Sequence, residues 1–419
     1  MKPFPSFISI LILAASLHAD RPNVVLIISD DHAWTDYRFM GNETIQSPHI
    51  DRLAAEGLTF TRGYVTTALC SPSLATMLTG LYTHQHGITG NDPVRGGQDR
   101  DVWLDRFFEN PMLPKLLADA GYNTMHTGKY WMRQPAAAGF THDNGDTGRH
   151  GGKSLDIGRK TMQPIYSFMD ESIKEKKPFF VWYAPFLPHT PHNPPKRLLD
   201  KYAEVQPMSK AKYYAMVEWL DETCGDLMKK LKDKGVDDNT LVLYLADNGW
   251  NQFGKASPYE NGIRTPIIAR WPAKIKPQLE KQKLASNIDI VPTILTACKV
   301  ALPAKMPGIN LLDAKAVADR KEIFFNNFSH NMISAHEPGK SLWTRSVIQG
   351  KWKLITYQDP LPRERPNAGG HKRKYPNQNQ ELYDLLADPH ERKDQSQAHP
   401  DVVKALQASI DGWWKPDAQ

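Results

Sequence analysis

Asn23 to Ser29 (NVVLIIS) is an unbroken apolar run, rich in β-branched residues, that ends directly on two aspartates, Asp30 and Asp31. A run of that length and composition suits a strand buried on both faces. Comparable runs recur at Pro178 to Ala184 (PFFVWYA), Thr240 to Ala246 (TLVLYLA) and Thr265 to Arg270. Helical patterns lie between them, at Pro48 to Glu56, Pro114 to Ala120, Arg159 to Lys176 and Lys210 to Lys234. Strands alternating with helices predict an α/β fold, a mostly parallel sheet sandwiched by helices. In such folds functional residues gather beyond the carboxyl ends of the strands. Here the first strand runs into Asp30-Asp31, the second reaches Pro188-His189, and the third runs into Asp247-Asn248-Gly249.

A chain of 419 residues has room for one large catalytic domain and a smaller appendix. Lys2, the apolar run Phe7 to Leu17 and the small residues ending at Ala19 have the three-part form of a secretory signal. The run is short for a bilayer span. We therefore expect residues 1–19 to be an export signal cleaved near Ala19, with a periplasmic or extracellular mature chain. No other stretch reads as membrane-inserting. A catalytic domain over 20–311 and a C-terminal α+β subdomain over 312–419 are expected. In the latter, Leu342 to Tyr357 and Glu381 to Leu386 alternate like antiparallel strands, and Pro400 to Trp414 reads as a closing amphipathic helix. Between them Asp359 to Asn379, rich in Pro, Arg, Asn and Gly, reads as a long loop. The formal charge of +6 favours anionic partners, but the basic residues form no stripe, which argues against nucleic acid.

Three cysteines are too few for a disulfide scaffold. Cys224 and Cys298 lie in helical and apolar patterns and read as buried small hydrophobes. Cys70 begins CSPSLATMLTG, where Pro72 suits a first helical turn and Gly80 its end. That places Cys70 just before a helix N-terminus, where free N–H groups and the dipole favour anions. A thiolate nucleophile and a buried structural cysteine are both compatible with this segment alone. Adjacent aspartates repel unless a cation or hydrogen bonds compensate them. Asp30, Asp31, Asp247 and Asn248 together are a hard-oxygen set of the kind Ca²⁺ or Mg²⁺ accepts.

The order RPNVVLIISDD, CSPSLATMLTG, TGKYW, PFLPHTPH, ADNG and KASPYENGIRTP resembles the sulfatase family over nearly the whole mature chain. Its tail, WTRSVIQGKWKLI and ELYDLLADPHERKD, is similar to the family's C-terminal subdomain. The resemblance implies an alkaline-phosphatase-like fold, one Ca²⁺ (Mg²⁺ being possible) and conversion of Cys70 to Cα-formylglycine (3-oxoalanine) by a separate maturase. It implies metal ligands Asp30, Asp31, Asp247 and Asn248, with an oxygen of the modified residue 70. Lys129 and Lys255 match the lysines that hold the sulfate and the leaving oxygen, and His189 the histidine that protonates the leaving alcohol. Arg264 matches a motif position of structural role. The chemistry suits the residue types: a metal-bound hydroxyl of an aldehyde hydrate is more acidic than an alcohol. Cations neutralise charge on the transferring oxygens, and a histidine is in the right range to give up a proton.

Two family positions are altered. Leu74 stands where the family has an arginine that helps maturase recognition and braces the aldehyde hydrate. Trp131 stands where it has a histidine that assists release of sulfate. Arg149 and His150, in GDTGRHGGK, are candidates to substitute, with a flexible surface loop as the alternative. His192 is a further candidate for substrate positioning, whereas His86 reads as a loop brace. The resulting expectation is hydrolysis of a sulfate ester, on a sulfated saccharide. Hydrolysis of phosphodiesters or phosphonate monoesters on the same site, and a catalytically impaired glycan-binding relative, are the alternatives.

Overall fold

The computed structural model of the chain describes residues 21–133, 135–144, 150–250, 254–358 and 379–416. The expected export signal, Arg149 and most of the Asp359–Asn379 loop lie outside the described residues.

The strand Asn23–Ser29 forms where its sequence predicts and sits centrally in a seven-stranded sheet. Across the sheet the order is Asn123–Gly128, Phe179–Ala184, Asn23–Ser29, Thr240–Ala246, Ile267–Arg270, Leu58–Phe60 and Gln278–Glu280. The first four run parallel, and Ile267–Arg270 is antiparallel to both its neighbours. That strand starts two residues later than its apolar run suggests, because Thr265 instead hydrogen-bonds Gly63 O and Ala246 N from outside the ladder.

Alternation divides the central strands between two cores. Leu26, Ile28, Trp182 and Leu243 face the cluster that holds the Cys70–Thr79 helix. Val25, Ile27, Val181 and Tyr244 face the cluster under the helices Gln163–Lys174 and Met208–Asp233. Full burial on both faces is why these strands read as continuous apolar runs. Cys224 and Cys298 are buried in the helical layers, as expected.

A second, four-stranded antiparallel sheet orders Glu322–Phe328, Leu342–Gln349, Trp352–Tyr357 and Gln380–Asp384. The helix Pro400–Trp413 packs Leu406 and Ile410 onto it. No helix among the described residues is long and apolar enough to cross a membrane.

Candidate active site

The register of the central strands brings the chemistry together. Ser29 is level with Ala246, so Asp30 and Asp247 emerge side by side, and Asp247 N donates to Ser29 O at 2.9 Å. Gly128 is level with Ala184, and Lys129 N donates to Ala184 O at 2.7 Å. Gly128 has φ +79°, and a Cβ there would fall 1.8 Å from Ala184 O. Only glycine lets the chain turn so tightly against the neighbouring strand, and that turn aims Lys129 inward. Asp31 has a left-handed backbone at φ 57°. Strain of this kind in a non-glycine residue persists where the surroundings enforce it, often at functional sites.

The residues predicted from the motifs do meet. One ligand atom each from Asp30, Asp31, Cys70 and His189 lies within 4.8 Å of the others. Lys129 Nζ is 2.7 Å from Asp30 Oδ1 and 3.5 Å from Asp247 Oδ2. Lys255 Nζ is 2.9 Å from Asp31 Oδ2 and 3.3 Å from His189 Nε2. Asp31 N donates to Asp247 Oδ1 at 3.1 Å, and Asn248 Nδ2 donates to Asp31 Oδ1 at 2.7 Å. His189 enters the cluster 3.4 Å from Asp31 Oδ2.

Burial works to raise the Asp31 carboxyl, but Lys255, His189 and Lys129 overcome it and hold it well below the usual range. Asp247 goes the other way: burial, and then Asp30, push it up to about 8. Burial also drives the Cys70 thiol up to about 12, so an unmodified thiolate at neutral pH is disfavoured. Burial lowers His189, with Asp30 and Asp31 opposing that shift.

The donor set fits a hard divalent cation. Three carboxylates face two ammonium groups, and Asn248 Oδ1 is buried with no hydrogen-bond partner among the described residues. Such an orphan carbonyl beside three carboxylates that share two ammonium groups is the oxygen-rich environment that Ca²⁺ or Mg²⁺ takes.

Cys70 is the first residue of its helix rather than the residue before it, with Leu69 as the extended cap. The difference arises because Ser73 N already bonds Leu69 O. Ser71 N donates to Asn91 Oδ1 at 3.0 Å. Gly80 ends the helix left-handed, as its position predicts.

Leu74 and Trp131 are both buried within the apolar cluster on this side of the sheet. His150 sets its ring edge-on to Trp131 at 5.1 Å and 6.1 Å from the ring of His189. His192 lies farther out, edge-on to Trp250 at 4.9 Å, and burial lowers it to about 4. His86 braces its loop, 3.2 Å from Thr76 Oγ1 and accepting from Ile88 N. Arg264 donates to Thr61 O and covers the Trp34 ring at 4.1 Å, a structural role.

Sequence reading missed Phe186, which stacks on His189 at 4.3 Å and lies 5.3 Å below Lys129 Nζ. It also missed Tyr213, whose hydroxyl donates to Asp31 O at 3.3 Å. Tyr213 reaches the site from the helix Met208–Asp233, where nothing in the local pattern marks it, whereas Phe186 lies three residues before His189 in the same PFLPHTPH segment and enters beside it.

Comparison with known proteins identifies the family and the fold. The sulfatase family model matches residues 22–300, well over half of the chain. A model described as N-sulphoglucosamine sulphohydrolase, C-terminal, matches residues 247–364. The chain is 25% identical to N-acetylgalactosamine-6-O-sulfatase of Bacteroides thetaiotaomicron, over 93% of this chain and 92% of that one. It is 27% identical to human arylsulfatase A, over 95% and 89%. Among solved structures, Ps i-CgsB superposes with a TM-score of 0.76 at 23% identity, covering 95% of this chain and 94% of that one. The phosphonate monoester hydrolase of Agrobacterium radiobacter shares the fold with a TM-score of 0.71 at 16% identity, over 94% and 95%. With its alkaline-phosphatase-like sheet and its motifs in family order, the chain belongs to the sulfatase family of sulfuric ester hydrolases.

Proposed function

We propose that the protein releases sulfate from a sulfated saccharide after export and after conversion of Cys70 to formylglycine by a maturase. The observation that carries this reading is the meeting of Asp30, Asp31, Cys70 and His189 within 4.8 Å, flanked by the buried Lys129 and the partly buried Lys255. Relatives support the substrate class. One is named for N-acetylgalactosamine 6-O-sulfate, another for ulvan, and a solved neighbour holds D-glucosamine-2-N,6-O-disulfate as its substrate. Division into an export signal (1–19), a catalytic part (20–311) and a C-terminal part (312–419) belongs to the same reading. The second sheet, starting at Glu322, supports it.

Asp30, Asp31, Asp247 and Asn248 would hold Ca²⁺, or Mg²⁺, with an oxygen of residue 70. When bound, the cation would make a hydroxyl on the modified residue 70 more acidic and so a better nucleophile toward a sulfate ester. The chain's own residues do the rest. Lys129 and Lys255 each carry three N–H donors, enough to keep their carboxylate contacts and still meet sulfate oxygens. Charge developing on those oxygens is neutralised by ammonium groups already fixed in place. His189 Nε2 faces the cluster and gives its proton to the leaving alcohol, while Phe186 fixes its ring plane. His150, 6.1 Å from that ring, and His192, farther out beside Trp250, would contact the saccharide, as would Arg149.

A second reading, a glycan-binding relative without turnover, is favoured by one observation: Leu74 and Trp131 place apolar side chains where the family has charged ones. Mass spectrometry of the peptide containing residue 70, from protein made with its maturase, separates the two. Formylglycine there, with sulfate released from sulfated N-acetylhexosamines but no phosphate from the matching phosphate esters, is the expected result. Thiol throughout would overturn it.

A further inference from the structure

One group of buried charges takes no part in the chemistry above. Lys353, on the Trp352–Tyr357 strand of the second sheet, is fully buried. Its Nζ lies 2.8 Å from Glu391 Oε1 and 3.4 Å from Glu260 Oε1. Glu391 Oε2 accepts from Glu260 N at 2.6 Å. Glu260 Oε2 accepts from the Tyr64 hydroxyl at 3.2 Å and lies 3.6 Å from Arg264 Nη1. Buried charges are costly unless paired and hydrogen-bonded, and here two cations balance two carboxylates.

The placement of the cluster matters more than its energy. Glu260 belongs to the segment 254–265, which carries Lys255. The regular structure of that segment is a single four-residue helix, Glu260–Ile263, too short to hold itself. Its backbone nevertheless bonds the segments that carry Cys70 and Asn248. Ala256 N donates to Ala68 O at 2.5 Å, two residues before Cys70, and Gly249 N donates to Gly262 O at 2.8 Å, one residue after Asn248. Val65 N donates to Ile263 O at 2.8 Å. Two non-glycine residues of the assembly are left-handed, Ala256 at φ 57° and Glu391 at φ 53°. Backbone of this kind persists only where its surroundings over-determine it.

We propose that Lys353 and Glu391 are positioning residues of the active site. They pin the Lys255-bearing segment to the second sheet and so fix Lys255 Nζ against Asp31 and His189. The kinetic half of the test rests on the sulfate-ester reading; the other half does not.

The test uses the full chain made with its maturase, with p-nitrophenyl sulfate as probe. Lys353→Met is expected to lower kcat/KM by up to about 100-fold, the scale of an ångström-level misplacement. Glu391→Gln keeps an acceptor for Glu260 N and should lose less; if Lys353→Met does not fold, it carries the same comparisons. In a Lys255→Ala background neither change should cost anything further. Losses that multiply in the double variant would overturn the proposal, because they would mark two independent effects. Hydrogen-exchange mass spectrometry supplies the arm that needs no turnover. Amides of Val65, Gly249 and Ala256 should exchange faster in Lys353→Met while the helix Met208–Asp233 stays protected. Unchanged exchange at those amides, or a uniform rise, would overturn it. A wild-type chain that cleaves no sulfate ester would sink the functional reading and leave positioning to be decided by exchange.

Discussion

Lys129 and Asp30 form an ion pair that solvent does not reach: Nζ lies 2.7 Å from Oδ1, and both side chains are almost completely buried. Lys129 also leans on Asp247 at 3.5 Å. Without it, three carboxylates would share one corner of the site with Lys255 as their remaining close cation.

Lys129→Met should therefore destabilise the cation-free protein by about 3–5 kcal/mol, the scale of breaking a buried pair from one side. Added Ca²⁺ should recover more stability in the variant than in the wild type, because the cation then neutralises charge that the lysine no longer does. Thermal unfolding with EDTA and with Ca²⁺ checks both statements. An equal Ca²⁺ effect in the two proteins would refute the shared-charge account. Sulfate release should fall by about 10²–10³-fold, as for loss of one fixed charge-stabilising donor.

His189→Gln should cost about 10²–10⁴-fold where protonation of the leaving oxygen limits the rate. The loss should be large for a saccharide sulfate and small for p-nitrophenyl sulfate, whose leaving group needs little proton assistance. Comparing kcat for the two esters reads this directly. Equal losses would assign His189 a binding role instead.

Asp221, on the Met208–Asp233 helix, accepts from Ile50 N at 2.7 Å and His49 N at 3.2 Å. It caps the helix Pro48–Glu56, whose own Ser47 makes no capping bond. Asp221→Ala should cost about 1–3 kcal/mol by stranding those donors. Burial pushes its carboxyl up to about 7 from 3.8. The folded state thus holds a proton that the unfolded chain has released between those values, and this contribution to stability falls as pH rises from about 4 to 7. Urea unfolding across that range should show a flatter dependence for Asp221→Asn than for the wild type.

Leu74→Arg would restore the residue the family carries. In an unfolded peptide it should raise conversion of Cys70 by the maturase. In the folded chain it places a cation in the apolar cluster around Leu78, Trp103 and Trp131. Stability should fall by several kcal/mol. Paired measurements of residue 70 by mass spectrometry and of melting temperature test the two halves. An undiminished melting temperature would mean that the site keeps room for the arginine.

The sequence alone determined the centre of the parallel sheet, where strands buried on both faces read as continuous apolar runs. Asn23–Ser29 and Thr240–Ala246 could be placed to the residue for that reason. It also singled out Asp30, Asp31, Asp247 and Asn248 as candidates, since strand ends are where such a fold exposes chemistry. It did not reveal the strand Asn123–Gly128, whose polar NTMHTG is buried by tertiary contacts rather than by its own hydrophobicity. Nor did it reveal Glu322–Phe328, where asparagines find partners across the chain at Thr67 and Ala68.

What only the tertiary structure decided is how the site is balanced and braced. Which lysine neutralises which aspartate, why Asp31 and Asp247 shift in opposite directions, and how Phe186 meets Lys129 and Tyr213 meets Asp31 all depend on distances between segments far apart in the chain. Lys353 and Glu391 show this most clearly. Each reads locally as an ordinary surface-type charge, and only the packing of the second sheet against the Lys255 segment buries them together. Pattern and spacing act over a few residues. Electrostatics inside a folded protein acts over a few ångströms, and only the fold relates the two.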